Sequence, residues 1–149
     1  MGKLDGEVAL VTGGNRGIGK AIARALAAEG AALTLAARGA DALAQTAREI
    51  AAEFGVEVLD VPTDVADEAQ VDALFASAQD RHGRLDVLIN NAGAFDGGPI
   101  EDITMEAWHN VVGACLTGPF LCTRAAFRTM KEQGGGRIIN IGSISAQMP

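Results

Sequence analysis

Apolar positions along this chain alternate between two rhythms. Residues 8–11, 33–37, 56–61, 85–89 and 137–141 are short apolar-rich runs, the mark of strands buried in a parallel sheet. Between them, apolar residues recur at helical spacing: Ile18, Ile22, Ala25 and Leu26, then Leu43, Ala47, Ile50 and Phe54, then Val71, Leu74, Phe75 and Ala78. Gly30, Gly55 and Gly83 follow these segments, at the place where helices commonly end on glycine. A fourth helical segment runs from about 105 to 130, with Pro119 placed to kink or break it. Gly134-Gly135-Gly136 then lead into the last strand.

Strand and helix in repeated alternation predict an α/β fold with helices on both faces of a parallel sheet. Right-handed crossovers make it doubly wound and Rossmann-type, with strand order 3-2-1-4-5 and a ligand crevice at the carboxyl ends of strands 1 and 4. No linker or shift in composition interrupts the pattern, so residues 1–149 read as one domain.

Composition narrows the possible partners. Twelve Lys and Arg against 19 Asp and Glu give a net charge of −7, which disfavours nucleic acid and anionic membrane. No apolar stretch reaches the roughly 20 residues that a membrane helix needs. The first residues carry neither a signal-peptide core nor the Ser or Thr of a myristoylation signal. A soluble, cytoplasmic protein is the expectation. Cys115 and Cys122, on one helix with about 10 Å of rise between them, are too far apart for a disulfide and are expected as free, buried thiols. Two histidines and no Cys/His cluster give no metal site.

The chemistry lies in residues 12–19, Thr-Gly-Gly-Asn-Arg-Gly-Ile-Gly, directly after the first strand and opening the first helix. Gly13 suits a sharp turn, Gly17 lets backbone approach a phosphate, and Gly19 lets helix pack on strand. The helix amino terminus offers free N–H groups to an anion. Asp64-Val65 follows the third strand and Asn90-Asn91-Ala92-Gly93 the fourth.

Thr-Gly-x-x-x-Gly-x-Gly with Asn-Asn-Ala-Gly resembles the classical short-chain dehydrogenase/reductase family, and the likeness runs along essentially the whole chain. It implies an NAD(P)-binding domain and hydride transfer between a nicotinamide and a carbonyl or secondary alcohol. It also implies cofactor contacts from Thr12, Gly13, Gly14, Asn15, Arg16, Gly17, Ile18 and Gly19. Further contacts are implied from Asp64 and Val65 at the adenine, and from Asn91, Ala92 and Gly93. At the end of strand 2, NAD enzymes place an acid for the ribose 2′-OH. Here Ala37 stands there, followed by Arg38, with Arg16 in the loop. Two guanidiniums and no carboxylate suit a 2′-phosphate, so NADP is expected over NAD. Solvent-facing arginines are the plain alternative.

The resemblance further implies that Ser143, in Ile139-Asn140-Ile141-Gly142-Ser143, holds the substrate oxygen, with Ser145 its rival. Two departures stand out. Counted from Trp108, Cys115 occupies the position of the family's Asn, and a thiol is a weak hydrogen-bonding group. The family's Tyr-x-x-x-Lys acid/base motif is not in this sequence, which has no tyrosine. The chain therefore reads as the cofactor-binding portion of a longer reductase, oligomeric when complete and inactive as 149 residues alone. A non-catalytic dinucleotide-binding or split-subunit module is the alternative. A Rossmann-like methyltransferase has no use for Asn-Asn-Ala-Gly or the Ser143 segment.

Overall fold

The structure, a computed structural model, describes residues 2–144. Its centre is a five-stranded sheet of β1 (Val8–Thr12), β2 (Ala32–Ala37), β3 (Val58–Pro62), β4 (Val87–Asn90) and β5 (Arg137–Asn140). All pairings are parallel and the order is β3-β2-β1-β4-β5, as the alternation of patterns predicts. Leu10 of β1 lies between Thr34 of β2 and Leu88 of β4.

The helices are α1 (Gly17–Ala28), α2 (Ala40–Phe54), α3 (Glu68–His82), α4 (Met105–Val112) and α5 (Gly118–Gln133). Because strand side chains alternate between faces, the sheet carries two cores. On one face Val11, Leu33, Leu35 and Ile89 pack with Ala23 and Ala27 of α1 and Leu43 and Ile50 of α2. On the other, Leu10 and Leu88 pack with Val71 and Leu74 of α3 and Leu121, Cys122 and Ala126 of α5.

Several expectations are corrected or made specific. The buried stripe of α1 is Gly19, Ala23 and Ala27; of the residues expected there, Ile22 and Leu26 are half-buried against the core, while Ile18 and Ala25 face outward. Small residues win this face because the helix lies close against the strands. The break expected near Pro119 takes the form of a π-helical turn over Gly113–Thr117. Proline has no N–H for the fourth carbonyl back and its ring crowds that carbonyl, and a widened turn relieves both. Of the two cysteines only Cys122 is buried. Its thiol is pushed up to about 12 by burial, whereas Cys115 lies exposed in the π turn with Sγ 3.5 Å from the Ala94 carbonyl.

β4 begins two residues later than expected, at Val87. Leu85 gives its N–H to the Gln133 side chain and accepts from that side chain at 2.6 Å, so α5 satisfies its backbone in place of a strand. Asp86 closes the same corner. It is 8% exposed and accepts from the Val8 N–H at 2.8 Å and from Arg84 at 2.8 and 2.7 Å. Burial alone would raise this carboxyl, but the Arg84 and Val8 hydrogen bonds outweigh it and hold it below the ordinary carboxylate value. A depressed folded-state value contributes stability above the unfolded value that is lost as pH falls through the folded one. Asp86→Ala is therefore expected to lower the unfolding free energy by about 1–3 kcal/mol at neutral pH. Its deficit relative to wild type should shrink below about pH 4. Urea melts at pH 7 and pH 3.5 check this; an equal deficit at both would remove the charge from the account.

Candidate functional site

Every strand in the first four ends at the same rim of the sheet, and the segments that follow them wall a cleft of about 800 Å³, within the range of small-molecule sites. The glycine loop lies at its centre. Gly13 and Gly14 donate their N–H groups to the Ala36 carbonyl at 2.7 and 3.4 Å, so the start of the loop is tied to β2. Gly13 (φ +66°) and Gly17 (φ +52°) both adopt a left-handed conformation that disfavours a side chain. In the space around them Gly13 resembles Gly19, since a Cβ at Gly13 would also meet the Asn91 amide, and Gly17 stands apart. A Cβ at Gly19 would run into the Gly13 carbonyl and the Asn91 amide, whereas one at Gly17 would meet nothing within 4 Å. Gly19 is glycine for the protein's own packing. Gly17 leaves open space on the cleft wall.

Two helix amino termini open on this cleft without a side-chain cap. Arg16 caps α1 and Gly39 caps α2, neither with a side-chain hydrogen bond, and α1 has no acid in its first turn. The heads of α3 and α4 carry the usual caps: Asp67 accepts from Gln70 N at the head of α3, and Thr104 from Ala107 N at the head of α4. Uncapped N–H groups around a glycine cradle form an anion site.

The loop is clipped to the segment after β4. The Thr12 hydroxyl accepts from the N–H groups of Asn91 and Ala92, both at 3.0 Å. The Asn91 amide donates back to the carbonyls of Thr12 and Gly13 at 3.0 and 3.3 Å. Asn90 does a different job, donating to Asn140 at 2.8 Å and to Thr123 at 3.1 Å, and so joins β4, β5 and α5. Asp64 lines the cleft and also makes the Asx turn, accepting from Ala66 N at 3.0 Å. Val65 is buried beside it, and Gly118 leaves room for its side chain.

The structure gathers most of the residues singled out from sequence. Gly13, Asn15, Arg16, Gly17, Ile18, Gly19, Arg38, Asp64, Val65, Asn91, Ala92 and Gly93 all line the cleft. Thr12 and Gly14 lie buried behind its wall, the first as a clip and the second against Leu35. Ser143 is exposed past the end of β5 and does not line the cleft. Ser145 falls outside the described residues. The polar face of α4 was not anticipated: Glu106, His109 and Asn110 also line the cleft, joined by Ala114 of the π turn. Their spacing is that of one helix face, but only the loop between β4 and α4 decides that this face meets the nucleotide loop. Among the described residues no cluster of three or more His, Cys, Asp or Glu could hold a metal, and no helix is long and apolar enough to cross a membrane.

Sheet order, cleft position and glycine cradle define a Rossmann-type α/β protein. A family profile described as short chain dehydrogenase matches residues 7–149, and the chain belongs to that family. It is similar to the 3-oxoacyl-acyl-carrier-protein reductase of Synechocystis sp., 42% identical over 149 residues that make up 99% of this chain and 60% of that protein. It is also similar to the sorbitol dehydrogenase of Cereibacter sphaeroides, 40% identical over 142 residues, 95% of this chain and 54% of that protein. Among solved structures it matches L-sorbose reductase from Gluconobacter frateurii, complexed with NADPH and L-sorbose, at a TM-score of 0.94 and 39% identity. All of this chain and 56% of that one are covered. The chain thus spans little more than half the length of these relatives.

Proposed function

We propose that the protein is an NADP-dependent oxidoreductase that exchanges a hydride between the nicotinamide and a carbonyl or secondary-alcohol substrate. The observation that carries the cofactor choice is the rim of the cleft beyond β2. Ala37 stands where an acid would meet a ribose 2′-OH, and Arg16 and Arg38 both line the cleft. The relative complexed with NADPH supports it, as does an alcohol dehydrogenase from Thermococcus sibiricus complexed with 5-hydroxy-NADP, at TM-score 0.89 and 36% identity.

On this assignment the uncapped ends of α1 and α2 and the loop from Asn15 to Gly19 hold the phosphates. Asp64 and Val65 flank the adenine, and Asn91, Ala92 and Gly93 sit beside the rest of the nucleotide. Thr12 and Gly14 set the loop from behind. The bound nicotinamide supplies or accepts the hydride; Ser143 holds the substrate oxygen. A longer form is active in the cytoplasm as a homo-oligomer, and the exposed Trp108, Phe120 and Phe127 supply apolar surface for such pairing. The 149-residue chain alone binds nucleotide without reducing a ketone.

The test is a fluorescence titration with NADPH and NADH at low and high salt. NADPH is expected to bind at least about tenfold more tightly, since one charge-assisted contact is worth about 1.5–3 kcal/mol. The gap should narrow as salt screens the exposed arginines. Equal affinities would sink the assignment. A non-catalytic or split-subunit module is the second reading, favoured by Cys115 at the position of the family's Asn. It predicts the same NADPH preference but no ketone-dependent NADPH oxidation in the longer form.

A further inference from the structure

A hydrogen bond from a buried side chain fastens α2 to the glycine loop. The Thr46 hydroxyl donates to the Asn15 carbonyl at 3.0 Å, and Thr46 is 2% exposed. A hydroxyl in a helix ordinarily returns to the carbonyl four residues back, as Ser77 does to Ala73 at 2.9 Å. Thr46 reaches instead across 31 positions of sequence.

What it holds is the middle of the glycine loop. Asn15 lies between Gly13 and Gly17, both in the left-handed region, where the backbone has little restraint of its own. A planar trans peptide sets the Arg16 N–H antiparallel to the Asn15 carbonyl. Fixing that carbonyl on α2 therefore orients the Asn15–Arg16 peptide as a unit, and with it the start of the Arg16 side chain. α2 itself begins at Ala40, two residues after Arg38. The same helix thus restrains the backbone of one cleft arginine and receives the chain directly from the other.

Farther out, α1 and α2 are joined by Lys20–Glu49 at 2.6 Å and Arg24–Glu53 at 2.5 Å. Those pairs are partly exposed and hold the helices only weakly. Thr46 is the buried link and the one nearest the loop.

We infer that Thr46 is a positioning residue that sets the 2′-phosphate selectivity of the cleft by keeping Arg16 in register with Arg38. This rests on the NADP assignment above, and the experiment separates the two. Wild type, Thr46→Val, Thr46→Ala, Thr46→Ser, Arg16→Ala and the Arg16→Ala/Thr46→Val pair are titrated with NADPH and NADH, with melting temperatures alongside.

Thr46→Val is expected to weaken NADPH about three- to tenfold, the weight of one hydrogen bond, and NADH less, so the selectivity ratio falls. Thr46→Ala, with no second methyl group to seat, should match it. Thr46→Ser, which keeps the hydroxyl, should retain the wild-type ratio. With Arg16 already removed, Thr46→Val should leave the ratio where it was. An unchanged ratio in Thr46→Val and Thr46→Ala, whatever the melting temperature, overturns the inference while the wild-type preference for NADPH stands. A ratio that falls equally in the Arg16→Ala background overturns it too. A wild type without any preference overturns the NADP assignment and this inference with it.

Discussion

Ala37→Asp combined with Arg38→Ala is expected to turn a preference for NADPH into one for NADH. Ala37 is the last residue of β2 and lines the cleft. A carboxylate there would accept from a ribose 2′-OH and repel a 2′-phosphate, and the second change removes one of the two guanidiniums that favour the phosphate. Loss of the Arg38 contact alone should cost NADPH about 10- to 100-fold, at about 1.5–3 kcal/mol for a charge-assisted bond. The new carboxylate adds repulsion on top. Because Arg38 is exposed and Ala37 is only half-buried at the margin of one core, melting should change much less than the nucleotide preference. Dissociation constants for the two nucleotides, measured at one ionic strength, decide it: a variant that still prefers NADPH would show that neither residue reads the ribose.

Gly17→Ala and Gly19→Ala should fail in different ways. At Gly19 a methyl group collides with the Gly13 carbonyl and the Asn91 amide, so the contact between α1 and β1 must open and the clip to Asn91 must move. Overpacking of this kind costs about 1–3 kcal/mol, and a lower melting temperature is expected together with loss of nucleotide binding. At Gly17 the methyl group meets no protein atom within 4 Å but extends from the cleft wall, and the left-handed φ of +52° adds about 1–2 kcal/mol of strain. Here nucleotide affinity should fall more than about a hundredfold, as a methyl group stands where phosphate must approach backbone. Thermal melts with and without NADPH separate the cases. In Gly17→Ala the stabilisation by nucleotide should vanish while the apo melting temperature drops modestly. If Gly19→Ala melted like wild type, the close approach of α1 to β1 would not be needed.

Much of the fold was legible in the chain because burial leaves a local signature. Strands in a parallel sheet have both faces covered, so Val8, Leu10, Leu33, Leu35, Leu88 and Ile89 stand in short apolar runs. Amphipathic helices repeat their buried residues at fixed intervals, so Leu43, Ala47 and Ile50 of α2 and Val71, Leu74 and Phe75 of α3 appear at the expected places. The glycine cradle was legible for a related reason: a left-handed turn and a close helix approach each demand the absence of a side chain, and that demand is written as Gly13, Gly17 and Gly19. Strand order, the location of the crevice and the family all follow from such local constraints together with the handedness of crossovers.

What depends on pairs of residues far apart in sequence was not legible. Ile18 and Ala25 carry the helical period of a buried face, yet α1 turns Gly19, Ala23 and Ala27 inward, because the close approach of helix to sheet, set by the whole layer, favours small side chains at its centre and leaves Ile22 and Leu26 to pack at its flanks. Leu85 has the composition of a strand residue, but Gln133 from the end of α5 takes its backbone groups. Glu106, His109 and Asn110 are ordinary surface residues until the loop after β4 folds α4 back over the cleft. Thr12 belongs to the glycine motif, yet its hydroxyl is taken by the N–H groups of Asn91 and Ala92 and does not line the cleft. The hydroxyl of Thr46 carries no signal at all in sequence, since its partner, the Asn15 carbonyl, is a backbone atom that every residue possesses. The chain by itself determined which segments are strands, which are helices and where glycine is obligatory, because each is decided by a residue and its near neighbours. Only the tertiary structure decided which side chains share a wall, which backbone carbonyl meets which donor, and which face of each helix is buried, because these are set by the packing of layers drawn from distant parts of the sequence.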